Sequence, residues 1–200
     1  MYIKTFCPHP LAANSYLVWT PAGEALVIDC GGDPQALLAE MASRQLRLAA
    51  VLLTHLHPDH VLGVPELCRA TGATAYGPLA DAFLLGEPGP ALPLTDLSPG
   101  KRVLLGEPCL VLPTPGHTPG HCVFFFPKSL TAFTGDTLFA GSVGRTDGPG
   151  GDAAALLRSI RERLLVLPDA TELFPGHGPS TTIGREKASN PFLAGDAYKP

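Results

Sequence analysis

Short apolar runs separated by turn residues dominate the chain and predict many β-strands. Ten segments carry the strand pattern: 2–6, 15–19, 25–29, 48–53, 73–76, 102–105, 108–112, 121–126, 130–134 and 171–174. Helical patterns fit 33–43 after a possible cap at Asp33, 61–71, and 152–166 after a possible cap at Asp152. This order, with two strand-rich halves, favours a pair of sheets flanked by helices over one doubly wound sheet.

Length and composition predict one domain over residues 1–200. The chain has 200 residues and 20.9 kDa, with 45% hydrophobic and 16% charged residues, which is typical of an ordered globular protein. Its 22 prolines and 22 glycines are dispersed, so we expect short elements joined by tight turns. The turn-rich segment 86–100 is predicted to be an exposed loop. The stretch after Gly176 is too short for a separate C-terminal helical domain.

The charge pattern argues against nucleic-acid and membrane partners. The net charge is −4, the isoelectric point is about 5.9, and no basic block is present. The apolar runs are far shorter than the ~20 residues of a membrane-spanning helix. Five cysteines form no C-x-x-C pair, which favours small buried thiols, and the N-terminus has no signal-like pattern. A cytoplasmic location is therefore predicted.

Histidine is concentrated in one short segment. Three of the seven histidines fall in THLHPDH, residues 54–60, directly after the apolar run 48–53. His55 and His57 alternate at the predicted strand end, so both imidazoles can point one way. Asp59 and His60 follow Pro58, where the chain turns into a helix. These four donors exceed what one ion would use, and they indicate a site for two metal ions.

Further donors follow other predicted strands, each beside glycine. His117 or His121 lies in TPGHTPGH, Asp136 follows 130–134, and His177 follows 171–174. Loops at strand ends can bring such side chains close to an ion. Imidazole and carboxylate ligands suit Zn, Fe or Mn without choosing among them. The absence of a G-x-S-x-G serine fits a reaction that needs no side-chain nucleophile.

The segments THLHPDH, PGHTPGH, GDTLFAGSVGRTDGPGGD and PGHG together resemble the metallo-β-lactamase superfamily, and most closely its short bacterial glyoxalase II-type hydrolases. NPFL at Asn190–Leu193 adds to a likeness that begins at Leu26. The resemblance implies an α/β fold, an αββα four-layer sandwich in a single domain, with metals in a cleft at one edge of the two sheets. It also implies two divalent metal ions, zinc foremost, with iron or manganese as alternatives.

The resemblance further implies seven metal ligands. They are His55, His57 and His117 for one ion, Asp59, His60 and His177 for the other, and Asp136 as the bridge between them. Common zinc β-lactamases have a cysteine where this chain has Asp136. Asp59 and Asp136 are also the candidate catalytic residues.

Four other polar residues are expected to lie near the metal ligands, to contact substrate or to lie at the surface. The resemblance implies that Asp29 orients a metal ligand and that Arg145 faces the acid end of a substrate. A salt bridge to Asp147 is the alternative for Arg145. His121 is expected to pack or to contact a ligand from behind, and His9 is expected at the surface or in a loop.

The resemblance favours hydrolysis of a thioester, such as S-lactoylglutathione, by a metal-bridging hydroxide. Full-length relatives bind glutathione partly through a basic helical domain, whereas Arg185, Lys187 and Lys199 are the basic residues in the last stretch of this chain. Another thioester or an ester therefore stays open.

Two further functions compete with thioester hydrolysis. One is a persulfide dioxygenase with one iron held by His55, His117 and Asp136. The other is a metal-dependent scaffold without catalysis, which the complete set of ligands argues against. The expected partner is a small-molecule thioester bound by a monomer or a small homo-oligomer.

Overall fold

Two six-stranded sheets account for most of the regular structure, and each belongs to its own compact unit, residues 1–97 and 98–200. The computed structural model describes residues 1–7, 13–86, 92 and 94–193. His9 and Lys199 therefore lie outside the described residues, as do parts of the segment 86–100.

The sheet of unit 1 changes from antiparallel to parallel along its width. Its strands, in chain and spatial order, are β1 Tyr2–Phe6, β2 Ser15–Trp19, β3 Glu24–Ile28, β4 Arg47–Leu52, β5 Thr74–Gly77 and β6 Leu94–Asp96. The first three pair antiparallel, and β3 to β6 pair parallel. Parallel neighbours need crossover connections, so the helices of this unit fall between β3 and β6.

The helices of unit 1 are short. They are α1 Gln35–Ser43, α2 Pro58–Val61 and α3 Val64–Thr71, followed by a 3₁₀ helix at Leu79–Leu85. The prediction of one helix over 61–71 was wrong in its start, because the chain makes a separate turn at α2 and begins α3 after Gly63. A Cβ at Gly63 would lie 2.0 Å from the Gly32 carbonyl oxygen, so close backbone packing demands glycine there.

Apolar side chains fill the core of unit 1. Leu17 and Val27 from the sheet pack with Leu37 of α1 and Leu67 of α3, and all four are almost fully buried. Their burial, together with that of Val51 on β4, fixes the register of β3 and β4, and so fixes which residues emerge at the ends of these strands.

The sheet of unit 2 is mainly antiparallel, with one parallel pair. Its spatial order is β14 Thr181–Thr182, β13 Glu172–Pro175, β10 Thr131–Gly135, β9 Cys122–Phe126, β8 Glu107–Pro113 and β7 Gly100–Leu104. The strands β10 and β13 are parallel. A small separate hairpin joins β11 Leu138–Phe139 to β12 Ser142–Val143.

Two helices belong to unit 2. The side chain of Asp152 caps α4, Ala153–Ser159, by accepting from the Ala155 amide at 2.9 Å, which confirms the predicted cap. A π-helical turn, Ile160–Leu164, continues α4. Thr182 caps α5, Ile183–Ser189, a helix that the sequence did not predict. The buried core of this unit includes Leu156 and Ile160, packed with sheet residues.

All ten predicted strands are present within one or two residues of their expected bounds, and the prediction of an α/β fold with two sheets and helices is confirmed. The loop expected at 86–100 contains β6 and begins β7. Five thiols are present; four are buried as predicted, but Cys7 is exposed because it lies past the end of β1. The single domain over 1–200 stays a prediction. No helix in the described part of the chain has the length and apolar character needed to cross a bilayer.

Candidate metal centre

Adjacent parallel strands bring the polar residues of unit 1 together. Ile28 of β3 lies beside Leu52 of β4, and the Asp29 amide continues the ladder by donating to the Leu52 carbonyl at 3.0 Å. Asp29 and Thr54 therefore emerge at neighbouring strand ends. The strand β4 ends at Leu52, so the expectation that His55 and His57 alternate along it was wrong: both lie in the loop beyond the strand.

Asp29 organises this loop through its carboxylate. One carboxylate oxygen, Oδ1, accepts from the Thr54 amide at 2.9 Å. The other, Oδ2, accepts from Thr54 Oγ1 and from His60 Nδ1, both at 2.8 Å. Asp29 itself has a φ of 54°, a left-handed conformation that aspartate tolerates better than most residues. The predicted role of Asp29, to orient a metal ligand, requires a contact of this kind with His60, and the role itself stays a prediction.

A count of protons fixes which imidazole nitrogens can bind a metal. A carboxylate only accepts, so His60 Nδ1 carries the proton and Nε2 is the nitrogen with a lone pair for a metal ion. The single hydroxyl proton of Thr54 goes to Asp29, so the 3.1 Å contact between Thr54 Oγ1 and His55 Nδ1 needs the proton on His55. His55 consequently also presents Nε2 as a ligand.

The donor atoms of unit 1 have spacings that suit metal ligation. Two ligands about 2.0–2.1 Å from one tetrahedral ion are about 3.4 Å apart, and octahedral neighbours about 2.9 Å. His55 Nε2 and His57 Nδ1 are 3.0 Å apart. His60 Nε2 and Asp59 Oδ2 are 3.9 Å apart, and the side chain of Asp59 is 38% exposed, so a small rotation would close this gap. We call His55, His57, Asp59 and His60 the unit-1 cluster.

Glycine and a buried thiol complete the surroundings of the unit-1 cluster. A Cβ at Gly31 would lie 1.5 Å from the Asp59 carbonyl oxygen, so the turn after β3 packs directly on the backbone of that ligand. Burial raises the pKa of the Cys30 thiol to about 12, and the nearby charge of Asp29 acts in the same direction. Cys30 therefore stays protonated near neutral pH.

Strand pairing also gathers the donors of unit 2. Gly135 of β10 lies beside Pro175 of β13, so Asp136 and His177 follow neighbouring parallel strand ends. The strand β9 runs antiparallel to β10, which places the connection before β9, with His117, at the same edge of the sheet. We call His117, Asp136 and His177 the unit-2 cluster.

One carboxylate oxygen stands between the two histidines of the unit-2 cluster. Asp136 Oδ2 lies 3.5 Å from His117 Nε2 and 3.6 Å from His177 Nε2. Both distances are close to the spacing of about 3.4 Å for two ligands of one tetrahedral ion. Asp136 is thus placed to share an ion with either histidine, and its role as a bridge between two ions stays a prediction.

A backbone carbonyl orients His117. His117 Nδ1 donates to the Arg145 carbonyl oxygen at 2.8 Å, which leaves Nε2 as the nitrogen with a lone pair for a metal ion. The loop reaches this position because Gly144 packs on the ligand: a Cβ there would lie 1.9 Å from the Asp136 carbonyl oxygen. Sequence reasoning missed this contact, although the two glycines of GSVGR, which flank Ser142 and Val143, were a signal of close backbone approach.

His121 supports Asp136 from behind. His121 is buried, and its Nε2 accepts from the Asp136 amide at 3.0 Å. Its Nδ1 therefore carries the proton, within 2.9 Å of Thr114 Oγ1 and 3.0 Å of Thr137 Oγ1. This contact with the backbone of a ligand agrees with the expectation for His121.

The side chain of Arg145 points into solvent. Its Nε lies 3.0 Å from Asp147 Oδ1, and the two side chains are 70% and 80% exposed. The structure thus contains the salt bridge that was the alternative for Arg145. Its contact with a substrate stays a prediction.

The family model of the metallo-β-lactamase superfamily matches residues 9–177, which hold both clusters. The chain belongs to the metallo-β-lactamase superfamily. It is 40% identical over 195 residues to a protein of Haemophilus influenzae named hydroxyacylglutathione hydrolase GloC, covering 90% of this chain and 92% of that protein.

Two solved structures extend the likeness across the superfamily. BLEG-1, described as a B3 metallo-β-lactamase, has a TM-score of 0.88 and 34% identity, covering 97% of this chain and all of that one. TTHA1623, solved in a di-iron-bound form, has a TM-score of 0.85 and 42% identity, covering 96% of this chain and all of that one. This chain has the metallo-β-lactamase fold, which binds divalent metals, and its histidines and aspartates suit such ions.

Proposed function

We propose that this protein hydrolyses a thioester, with S-lactoylglutathione as the first candidate, and that it uses two divalent metal ions. The observation that carries the proposal is Asp136 Oδ2, which lies almost equally far from His117 and His177. The 40% identity to a protein named hydroxyacylglutathione hydrolase supports the substrate class.

The proposal divides the donors between two ions. The first ion is held by His55, His57 and His117, the second by Asp59, His60 and His177, and Asp136 is shared. The spacings within each cluster support this assignment, as does the membership of the superfamily. Zinc is the proposed metal, and iron is its main competitor because TTHA1623 was solved with two irons.

Ions bound in this way would supply a hydroxide nucleophile near neutral pH and would polarise the thioester carbonyl. The residues of this chain keep the ligands in place and in the right tautomer. Asp29 and the Arg145 carbonyl each hold the Nδ1 proton of a histidine, so Nε2 faces the metal. A thiolate is a good leaving group, so the site needs no acid to protonate it.

The exposed guanidinium of Arg145 is the proposed contact for an acidic group of the substrate. It lies on the loop whose backbone orients His117, so a substrate held by Arg145 would be close to that ligand. Asp147 would give up its ion pair with Arg145, at small cost because both side chains are exposed.

Metal analysis with a parallel assay tests the proposal. Protein purified without added metal should contain close to two ions per chain and should hydrolyse S-lactoylglutathione. A chelator should abolish the activity, and zinc should restore it. About one iron per chain, with oxygen uptake on glutathione persulfide, would replace this proposal with the dioxygenase.

Cleavage of a β-lactam is a second candidate function, because BLEG-1 is described as a metallo-β-lactamase and is 34% identical over nearly the whole chain. A chromogenic cephalosporin should therefore be assayed beside the thioester. Faster turnover of the cephalosporin, compared at equal metal content, would assign the protein to that activity instead.

A further inference from the structure

Helix α5 and the residues that follow it have no part in the proposed reaction, although Asn190–Leu193 stands out in the sequence. We propose that Glu186 and Asn190 are positioning residues that set the orientation of His117 through the segment Gly141–Arg145. We call this segment the strap. An effect of these residues on catalysis rests on the proposed function, whereas their effect on the orientation of His117 does not.

Glu186 is a buried carboxylate with three partners. It is 1% exposed, and its Oε2 accepts from the Gly141 amide and from Asn190 Nδ2, both at 2.8 Å. Its Oε1 accepts from Thr181 Oγ1 at 2.5 Å. Hydrogen bonds to a buried carboxylate are strong, and a buried carboxylate without them is costly. The start of the strap is therefore firmly attached to α5.

Asn190 attaches α5 to the strap at a second point. It is 3% exposed, and its Nδ2 donates both to the Ser142 carbonyl at 3.1 Å and to Glu186 Oε2 at 2.8 Å. Its Oδ1 accepts from the Phe192 amide at 3.0 Å. Both amide protons are thus used, so alanine or aspartate at this position could not reproduce the contact with Ser142.

The other end of the strap reaches the metal ligands. Val143 pairs with Leu138 in the small hairpin, and the Gly144 amide donates to the Thr137 carbonyl at 3.3 Å. The next residue, Arg145, accepts from His117 Nδ1 through its carbonyl. Only two residues separate the Ser142 carbonyl, held by Asn190, from the Arg145 carbonyl that orients His117. Loosening the first should therefore displace the second.

Two variants and a matched control test the inference. Glu186→Gln removes the negative charge of the group that accepts from the Gly141 amide and so weakens that hydrogen bond, and Asn190→Ala removes the contact with Ser142. Asp169→Asn is the control: it is also an acid-to-amide change at a contact with α5, since Asp169 Oδ1 accepts from Lys187 Nζ at 2.6 Å, but it does not touch the strap.

The first measurement uses metal-free protein. Hydrogen exchange of the Gly141 and Gly144 amides should be at least about 10-fold faster in Glu186→Gln and Asn190→Ala than in the wild type or Asp169→Asn. The second measurement is zinc affinity, which should fall about 10-fold or more in the two variants, as expected when the partner of a metal ligand is lost. Histidine labelled with ¹⁵N should show altered exchange of the His117 Nδ1 proton.

Unchanged exchange and unchanged zinc affinity in both variants would overturn the inference, and so would an equal change in Asp169→Asn. Activity separates the two proposals. If the variants lose zinc affinity but the wild type hydrolyses no thioester, the inference stands and the proposed function fails. If thioester activity recovers in the variants at saturating zinc, the variants lost activity because they bind zinc more weakly. Both the inference and the proposed function then stand.

Discussion

The two donor clusters are held in position by different kinds of groups. In unit 1, the Asp29 carboxylate binds His60 and Thr54, and Thr54 contacts His55. In unit 2, main-chain groups do the comparable work: the Arg145 carbonyl accepts from His117, and the Asp136 amide donates to His121. The first arrangement depends on one side chain, whereas the second depends on the course of the backbone.

This difference determines how each cluster can be damaged. A single substitution at Asp29 removes the partners of several side chains in unit 1. No substitution deletes the Arg145 carbonyl, so the unit-2 cluster should be sensitive to residues that place the backbone, such as Glu186 and Asn190. The following predictions are ordered by expected effect.

Asp136→Asn should have the largest effect, because this residue is the ligand that the proposal shares between both ions. Loss of several kcal/mol of charge stabilisation corresponds to about 10³-fold or more in kcat/KM. Metal content should fall together with S-lactoylglutathione hydrolysis. Retention of two tightly bound metals in this variant would contradict a shared ligand.

Asp29→Asn should weaken metal binding about 10- to 100-fold, because an amide has one accepting oxygen and cannot accept both from the Thr54 amide and from His60 Nδ1. Competition with a zinc chelator measures the affinity. Asp33→Asn is the matched control. Asp33 Oδ1 accepts from the Gln35 amide at the start of α1, and Asp33 does not belong to the unit-1 cluster. Equal losses in both variants would refute the special role of Asp29.

His121→Leu should be milder than Asp29→Asn. The leucine keeps an apolar volume but leaves the Asp136 amide without its acceptor, which costs about 1–3 kcal/mol of stability. We expect a lower thermal midpoint and a drop in zinc affinity of no more than about 10-fold. A larger drop than in Asp29→Asn would reverse the comparison between the clusters.

Arg145→Ala separates the side chain from the backbone of the same residue. The carbonyl that orients His117 remains, so metal content and kcat should be unchanged, while KM should rise about 2- to 5-fold through loss of an exposed charge. Arg47→Ala is the control, because Arg47 is also exposed and paired, with Glu24 at 2.9 Å. A fall in metal content would show that the side chain helps to place the strap.

Glu40→Gln should have the smallest effect and none on metal affinity. Hydrogen bonds from Lys4 and Arg44 lower the pKa of the Glu40 carboxyl below its usual 4.5. The stabilisation is therefore present above pH 4.5 and is lost as the pH falls through the folded-state pKa. Urea midpoints of the variant and the wild type should differ slightly at pH 6 and converge at low pH.

Much of the fold was predictable because its strands are apolar and bounded by turn residues. The elements that were missed include the strand β6 and the 3₁₀ helix at Leu79–Leu85, and otherwise they are very short or polar. The strands β11, β12 and β14 have two residues each, and α5, with the sequence IGREKAS, is short and polar. Such elements form because neighbouring groups hold them, as Glu186 and Asn190 hold the strap.

The part of the candidate site that consists of side chains was predictable from the sequence, whereas the part that consists of backbone groups was not. The histidines and aspartates of both clusters lie near predicted strand ends, while the choice of His117 over His121 and the role of Asp29 came from the family resemblance. The Arg145 carbonyl could not be predicted, because every residue carries one and only the path of the chain selects it. The roles proposed for Glu186 and Asn190 could not be predicted either, because these residues lie 45 and 48 residues along the chain from the strap positions that they contact.

That separation has a consequence for synthesis. At about 5–20 residues per second, the ribosome makes Asn190 about 2 to 10 s after Ser142. From His177 onward the growing chain contains every residue of both clusters, but the contacts of the strap with Glu186 and Asn190 form only after those residues follow. Metal that arrives early would meet an imidazole whose tautomer is not fixed, so secure loading should follow translation of α5.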